Sequence, residues 1–169
     1  MLNAQFRRAT GGVSMIARSI FSTGCAAVIL GLFVAMCGGQ AAQAADDKVI
    51  LPVADALASQ SAKEKLDGSI AFYFGNSAHP AVVKSFGNFT TNKKSNAFAK
   101  SDSETCNWVL LSALVTLQER AQKEGGNAVI NIKSYYKKNE VSYDKDFECH
   151  VGAFVSGVTL KGDVVTLSR

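Results

Sequence analysis

SDSETCNWVLLSALVTLQERAQKEGGNAVINI, residues 101–132, decides the fold. Ser101 and Glu104 stand at the spacing of a capping box, in which a serine hydroxyl and a glutamate carboxylate satisfy amides that a helix start leaves without partners. A helix therefore begins there. Leu110, Ala113, Leu114, Leu117 and Ala121 recur at intervals of three and four and form one apolar stripe. Gln118, Glu119, Arg120, Gln122 and Lys123 fall mostly on the remaining surface. Gly125 supplies the left-handed conformation that ends many helices, and Gly126 and Asn127 tolerate it, so the chain turns back at once. From Ala128 the period changes to two, with Ala128, Ile130 and Ile132 on one side. These residues spell helix, tight turn, strand.

Upstream, Pro52 suits the first turn of a helix over 53–66, with Val53, Ala56 and Leu57 as a short apolar edge and Gly68 beyond its end. Residues 69–74 alternate, which places Ile70, Phe72 and Phe74 on one face of a half-buried strand. A turn containing His79 and Pro80 leads to a second strand over 81–89, the hairpin neighbour of the first. Residues 90–100 are polar and read as a loop whose lysines form a solvated surface. Downstream, Tyr135, Tyr136, Lys137 and Lys138 combine aromatic and basic character, which suits base stacking; in a near-neutral chain they read instead as the end of the strand begun at Ala128. A charged loop over 139–147 precedes the longest strand candidate, 148–160. Unbroken alternation there puts Cys149, Val151, Ala153 and Val155 towards the helix, and His150, Phe154, Val158 and Leu160 on the far side. So apolar a far side requires cover, from the first helix or from a second copy, hence the expectation of a homo-oligomer joined near 148–160. Gly152 and Gly157 allow bulges, curvature or close backbone approach. His150 reads as a partly buried polar residue.

The first 44 residues are a separate matter. Arg7, Arg8 and Arg18 precede an apolar run over 26–36, and Ala42-Gln43-Ala44 has the small-x-small form that signal peptidase cleaves. The expectation is a signal peptide over 1–44, with Met15 as an alternative start, and hence a periplasmic protein. The apolar run is shorter than the roughly 20 residues that cross a bilayer, so no stable membrane anchor is expected after cleavage. A membrane anchor is the competing reading; lipid attachment at Cys37 and twin-arginine export through Arg7-Arg8 are minor ones. Residues 45–67 then form an N-terminal extension with a short helix, and 68–169 a single domain. The chain carries 18 basic and 14 acidic residues; the leader holds three arginines and no acid, which leaves 15 against 14. Such a balance lacks the basic field that binds nucleic acid or acidic membranes.

Of four cysteines, Cys106 and Cys149 survive cleavage, and two cysteines in an oxidising compartment pair. The competing use is a metal site with His79 and His150. Adjacent residues on a strand point to opposite faces, which disfavours Cys149 and His150 on one ion. Gly125-Gly126-Asn127 lacks the Gly-Lys-Ser/Thr ending of a phosphate loop. Asp102 with Glu104, and Asp144 with Asp146, suit helix capping and a solvated loop. No catalytic, cofactor-binding or metal-ligating residue is therefore assigned, and no cofactor is expected. The architecture expected is α+β: a small two-layer domain, one main helix packed on an antiparallel sheet of about four strands, plus a short N-terminal helix.

The run from Ser95-Asn96-Ala97-Phe98 through Cys106-Asn107-Trp108, Leu117-Gln118-Glu119-Arg120-Ala121 and Gly125-Gly126-Asn127-Ala128-Val129-Ile130 to Ser134-Tyr135-Tyr136-Lys137-Lys138 resembles a group of exported bacterial proteins labelled excinuclease ATPase subunit. That label implies nucleotide-driven DNA repair, and this chain departs from it in lacking a phosphate loop and zinc-type cysteine pairs, so the label reads as a misnomer. Helix, Gly-Gly-Asn-Ala-Val-Ile and strand are also similar to YbjQ-like proteins and to the lipoprotein stress sensor of the Rcs phosphorelay. This second resemblance implies a small α+β unit that assembles through sheet edges, a disulfide-bearing stress-sensor domain, and, for the YbjQ-like group, heavy-metal binding. The function expected is a non-enzymatic periplasmic interaction or envelope-stress module with an envelope protein as partner; the alternative is a periplasmic binder of small molecules or heavy metals.

Overall fold

The computed structural model describes residues 46–168. The signal peptide, the alternative start at Met15 and the lipidation site at Cys37 lie outside the described residues. In chain order the elements are β1 (Asp47–Pro52), α1 (Val53–Ala58), α2 (Gln60–Lys65), β2 (Ala71–Phe74), β3 (Val82–Asn96), α3 (Asp102–Glu124), β4 (Ala128–Ser134), a 3-10 turn (Tyr136–Lys138), β5 (Asp146–Val151) and β6 (Val155–Leu167). This is the expected small α+β domain. Its sheet is mixed and has six strands rather than about four.

β6 organises the sheet. One of its edges pairs antiparallel with β3 from Val155↔Asn96 to Leu167↔Val82. The other edge is shared: β5 takes Ser156 and Gly157, and β4 pairs from Leu160 to Val165. β1 extends the sheet antiparallel from β5, and β2 joins β4 in parallel.

α3 crosses one face of this sheet. Its start is capped by Ser101, whose Oγ accepts from the Glu104 amide at 3.2 Å. Leu110, Ala113, Leu114, Leu117 and Ala121 are all buried, as their spacing requires, in one core with Phe147, Val158, Leu160 and Val164. The Gly-Gly-Asn turn divides its work by residue. Gly125 closes the helix at φ 80 and donates to the Ala121 and Gln122 carbonyls. Gly126 lets the chain approach β6: a Cβ there would stand 2.8 Å from the Val165 carbonyl oxygen and 2.9 Å from Val164 Cγ1. Asn127 clamps the end of β6, with Nδ2 donating to Leu167 O at 3.1 Å and Oδ1 accepting from Leu167 N at 2.7 Å. Cys106 and Cys149 form a buried disulfide, Cα atoms 5.9 Å apart, which joins α3 to β5.

Several expectations are corrected. The helix over 53–66 is two six-residue helices. Ser59 separates them, its Oγ donating to Ala56 O at 2.7 Å and accepting from Ala62 N at 3.1 Å, so one side chain closes α1 and caps α2. Both pack against α3, and Gln118, assigned to the solvent side, is buried with its Nε2 towards Lys65 O. β2 and β3 are not hairpin neighbours. The apolar face of β2 finds Val129 and Ile132 on β4, which a polar β3 does not offer. Within β4, Asn131 adopts φ 53 and shifts the register between Ile130 and Lys133. Val129 and Ile132 therefore enter the main core, while Ala128 and Ile130 face a second cluster with Val165 and Leu167.

Two corrections bear on function. β3 continues through the polar stretch read as a loop, to Asn96, because Thr90, Asn92 and Lys94 face solvent while Thr91 between them is buried. The strand over 148–160 is broken at residues 152–154, where Gly152 N donates to Val155 O at 2.8 Å. This link resets the parity, so that Val158 and Leu160 face α3 together with Cys149 and Val151. The far side carries Gly157, Thr159, Lys161 and Asp163 instead. Of the apolar residues expected on the far side, Val158 and Leu160 are thus buried, and Phe154 is exposed.

Candidate functional site

The sheet face opposite α3 is where side chains converge. Its floor is a row of cross-strand pairs, Thr90↔Lys161, Asn92↔Thr159 and Lys94↔Gly157. The β5–β6 link with Ala153, Phe154 and Val155 closes one end, and Tyr135 with the 3-10 turn forms a wall. Together with Asp46 and His150 they surround a groove of about 880 Å³. Phe154 is 66% exposed and stacks on Phe98, itself 62% exposed, with ring centres 6.0 Å apart. Gly157 leaves the floor bare without any backbone need to do so: a Cβ there would meet the Lys93 carbonyl oxygen at 3.6 Å and Lys94 Cγ at 3.7 Å, ordinary contacts.

The wall is held against conformational cost. β4 stops at Ser134, and Tyr135 N donates to Thr159 O at 2.9 Å, which turns the chain over the sheet. Lys137 at φ 49 and Lys138 at φ 68 are consecutive left-handed residues, each costing about 1–2 kcal/mol for a residue with a side chain. The compensation comes from Asp46 and His150. The Tyr136 ring stacks on His150 with centroids 3.4 Å apart and planes 15° from parallel. Tyr136 donates its hydroxyl to the Asp46 carboxylate at 2.8 and 2.9 Å, and Lys137 Nζ donates to the same group at 2.8 Å.

His150 continues the chain of contacts inward. Its Nδ1 lies 2.9 Å from Asp46 Oδ1 and its Nε2 lies 2.8 Å from Glu148 Oε1. Glu148, only 5% exposed, also accepts from the Tyr143 hydroxyl at 3.2 Å and lies 3.8 Å from Lys48 Nζ. The hydrogen bond from Lys137, then that from Tyr136, then His150, hold the Asp46 carboxyl down to a pKa of about 2. Burial and the Asp46 carboxylate push the Tyr136 hydroxyl up, and Asp46 does the same for Lys137. Outside this network stand Lys94 and Lys138. Among the described residues neither has a carboxylate within ion-pair distance, whereas Lys48, Lys133, Lys137 and Lys161 each have one.

The disulfide residues are not part of the groove; they lie buried on the helix side. His79 lies apart from His150, edge-on to Tyr73 at 5.6 Å. Of the four residues weighed as metal ligands, Cys106 and Cys149 are bonded to each other, His150 lies at the groove and His79 against Tyr73, and among the described residues no group of three or more His, Cys, Asp or Glu could hold a metal ion. The wall residues 135–138 were visible in the sequence as an aromatic and basic run, but they read as a strand end. No family model, curated protein or solved structure matches the chain.

Proposed function

We propose that this chain is a non-enzymatic binding module of the periplasm that takes an envelope partner or small molecule on the outer face of its sheet. The observation that carries the reading is the groove itself: an open cleft of ligand size, closed at one end by Ala153, the exposed Phe154 and Val155 and walled by a strained turn. The chemistry around it favours binding over catalysis. His150 is the natural candidate for proton transfer, yet both its ring nitrogens face carboxylates, which leaves no lone pair directed at a substrate. The export reading rests on the leader and on the paired cysteines, and the pairing withdraws both thiols from any heavy-metal role. Native mass spectrometry of protein expressed with its own leader and released without detergent tests the reading. A bound species is expected on the wild type and not on Gly157→Val, which fills the floor. A species retained equally by both places binding elsewhere and defeats the proposal.

A further inference from the structure

Resting on that binding reading, we infer the class of ligand: the groove takes a single anionic amphiphile, an apolar chain or ring system bearing one carboxylate, sulfonate or phosphate head. Two features of the groove point the same way. At the β5–β6 end, Phe154 is 66% and Val155 49% exposed, side by side with Ala153, and Phe98 extends the apolar surface beyond the groove. Contiguous exposed aromatic and aliphatic side chains of this kind mark contact surfaces.

The second feature is charge. Lys94 reaches the groove from the floor and Lys138 from the turn, and neither ammonium is neutralised within the described residues. The acid that lines the groove, Asp46, is already engaged by Lys137, Tyr136 and His150, so it does not offset them. Thr90, Asn92, Gly157 and Thr159, which line the rest of the floor, are small and uncharged, and Lys161 opposite Thr90 is paired with Glu140. A lone inorganic anion leaves the aromatic end bare, and a neutral apolar molecule leaves two lysines unmatched. An amphiphile with one acidic head satisfies both, and about 880 Å³ lies within the range of small-molecule sites. A dispersed molecule is favoured over a membrane surface, because the near balance of 15 basic and 14 acidic residues after the expected leader gives no long-range attraction to anionic lipid.

The test uses the exported, disulfide-bonded protein and two fluorescent probes: anilinonaphthalene sulfonate, which is anionic, and N-phenyl-1-naphthylamine, which is its neutral counterpart. Thermal unfolding of every variant is recorded alongside, so that binding is compared only among folded proteins. One sulfonate probe per chain is expected on the wild type. Lys94→Glu combined with Lys138→Glu is expected to weaken it about tenfold or more, with the neutral probe changed less than about twofold. Gly157→Val removes both probes, and Asn92→Trp, on the exposed face of β3, repeats that test should the first variant fold poorly. Lys123→Glu on α3 leaves both unchanged. If charge reversal spares the sulfonate probe while groove filling still removes it, the anionic class is wrong and the binding reading stands. If filling removes neither probe, both are wrong. Binding to anionic phospholipid vesicles without binding of the dispersed sulfonate also overturns the inference.

Discussion

Asp46 joins segments that the chain keeps far apart, since its carboxylate meets Tyr136, Lys137 and His150, 90 to 104 residues downstream. Because its folded pKa of about 2 lies below the ordinary 3.8, the ionised form stabilises the fold. That contribution is fully present above about pH 4 and is lost as the pH falls towards 2. Melting temperature followed from pH 5 to pH 2 is expected to fall less steeply for Asp46→Asn than for the wild type; parallel curves refute the assignment. A pair of glycines gives a second contrast at this scale. Gly126→Ala forces a methyl against the Val165 carbonyl and is expected to cost about 2 kcal/mol, while Gly157→Ala meets only ordinary contacts and stays within about 0.5 kcal/mol of the wild type. Urea unfolding of the two variants separates them, and equal losses contradict the packing described. Cys106 and Cys149 were legible as a pair because the expected leader takes the other two cysteines and leaves little choice. Asp46 was not legible, because nothing local to it signals partners a hundred residues away.

Among the elements, those defined by near neighbours were readable and those defined by parity or pairing were not. The stripe from Leu110 to Ala121 and the cap at Gly125 follow from spacings within one helix, and both stand in the structure. The strand over 148–160 went wrong through one assumption, that alternation runs on through residues 152–154. A single reversal there moves Val158 and Leu160 to the core and uncovers the groove face. β3 was hidden for a different reason: its outer face is solvated, and polar residues in alternation resemble a loop when only the apolar ones are counted. Asn127 shows how one side chain completes an element. Asn127→Ala removes both bonds to the Leu167 backbone and is expected to cost about 1–2 kcal/mol, with amide exchange faster at the end of β6 than in its middle. Uniform acceleration along β6 is the contrary result.

Across the whole molecule, the disulfide fastens the helix layer to the sheet, and the groove occupies the opposite face. The closed span of 43 residues gives about 4 kcal/mol in the chain-entropy treatment, an upper figure. Cys106→Ala is therefore expected to lower the melting temperature of the oxidised protein about as much as the double replacement with Cys149→Ala. A single variant as stable as the wild type contradicts the bridge. For the proposed binding role the separation leaves the groove face open while α3 and the disulfide cover and fasten the other. Photo-crosslinking in living cells tests that division most directly. With benzoylphenylalanine at Asn92, on the groove floor, an adduct with a protein or a small molecule is expected; with the same group at Lys123, on the exposed surface of α3, none is expected. Adducts at Lys123 and none at Asn92 contradict the account.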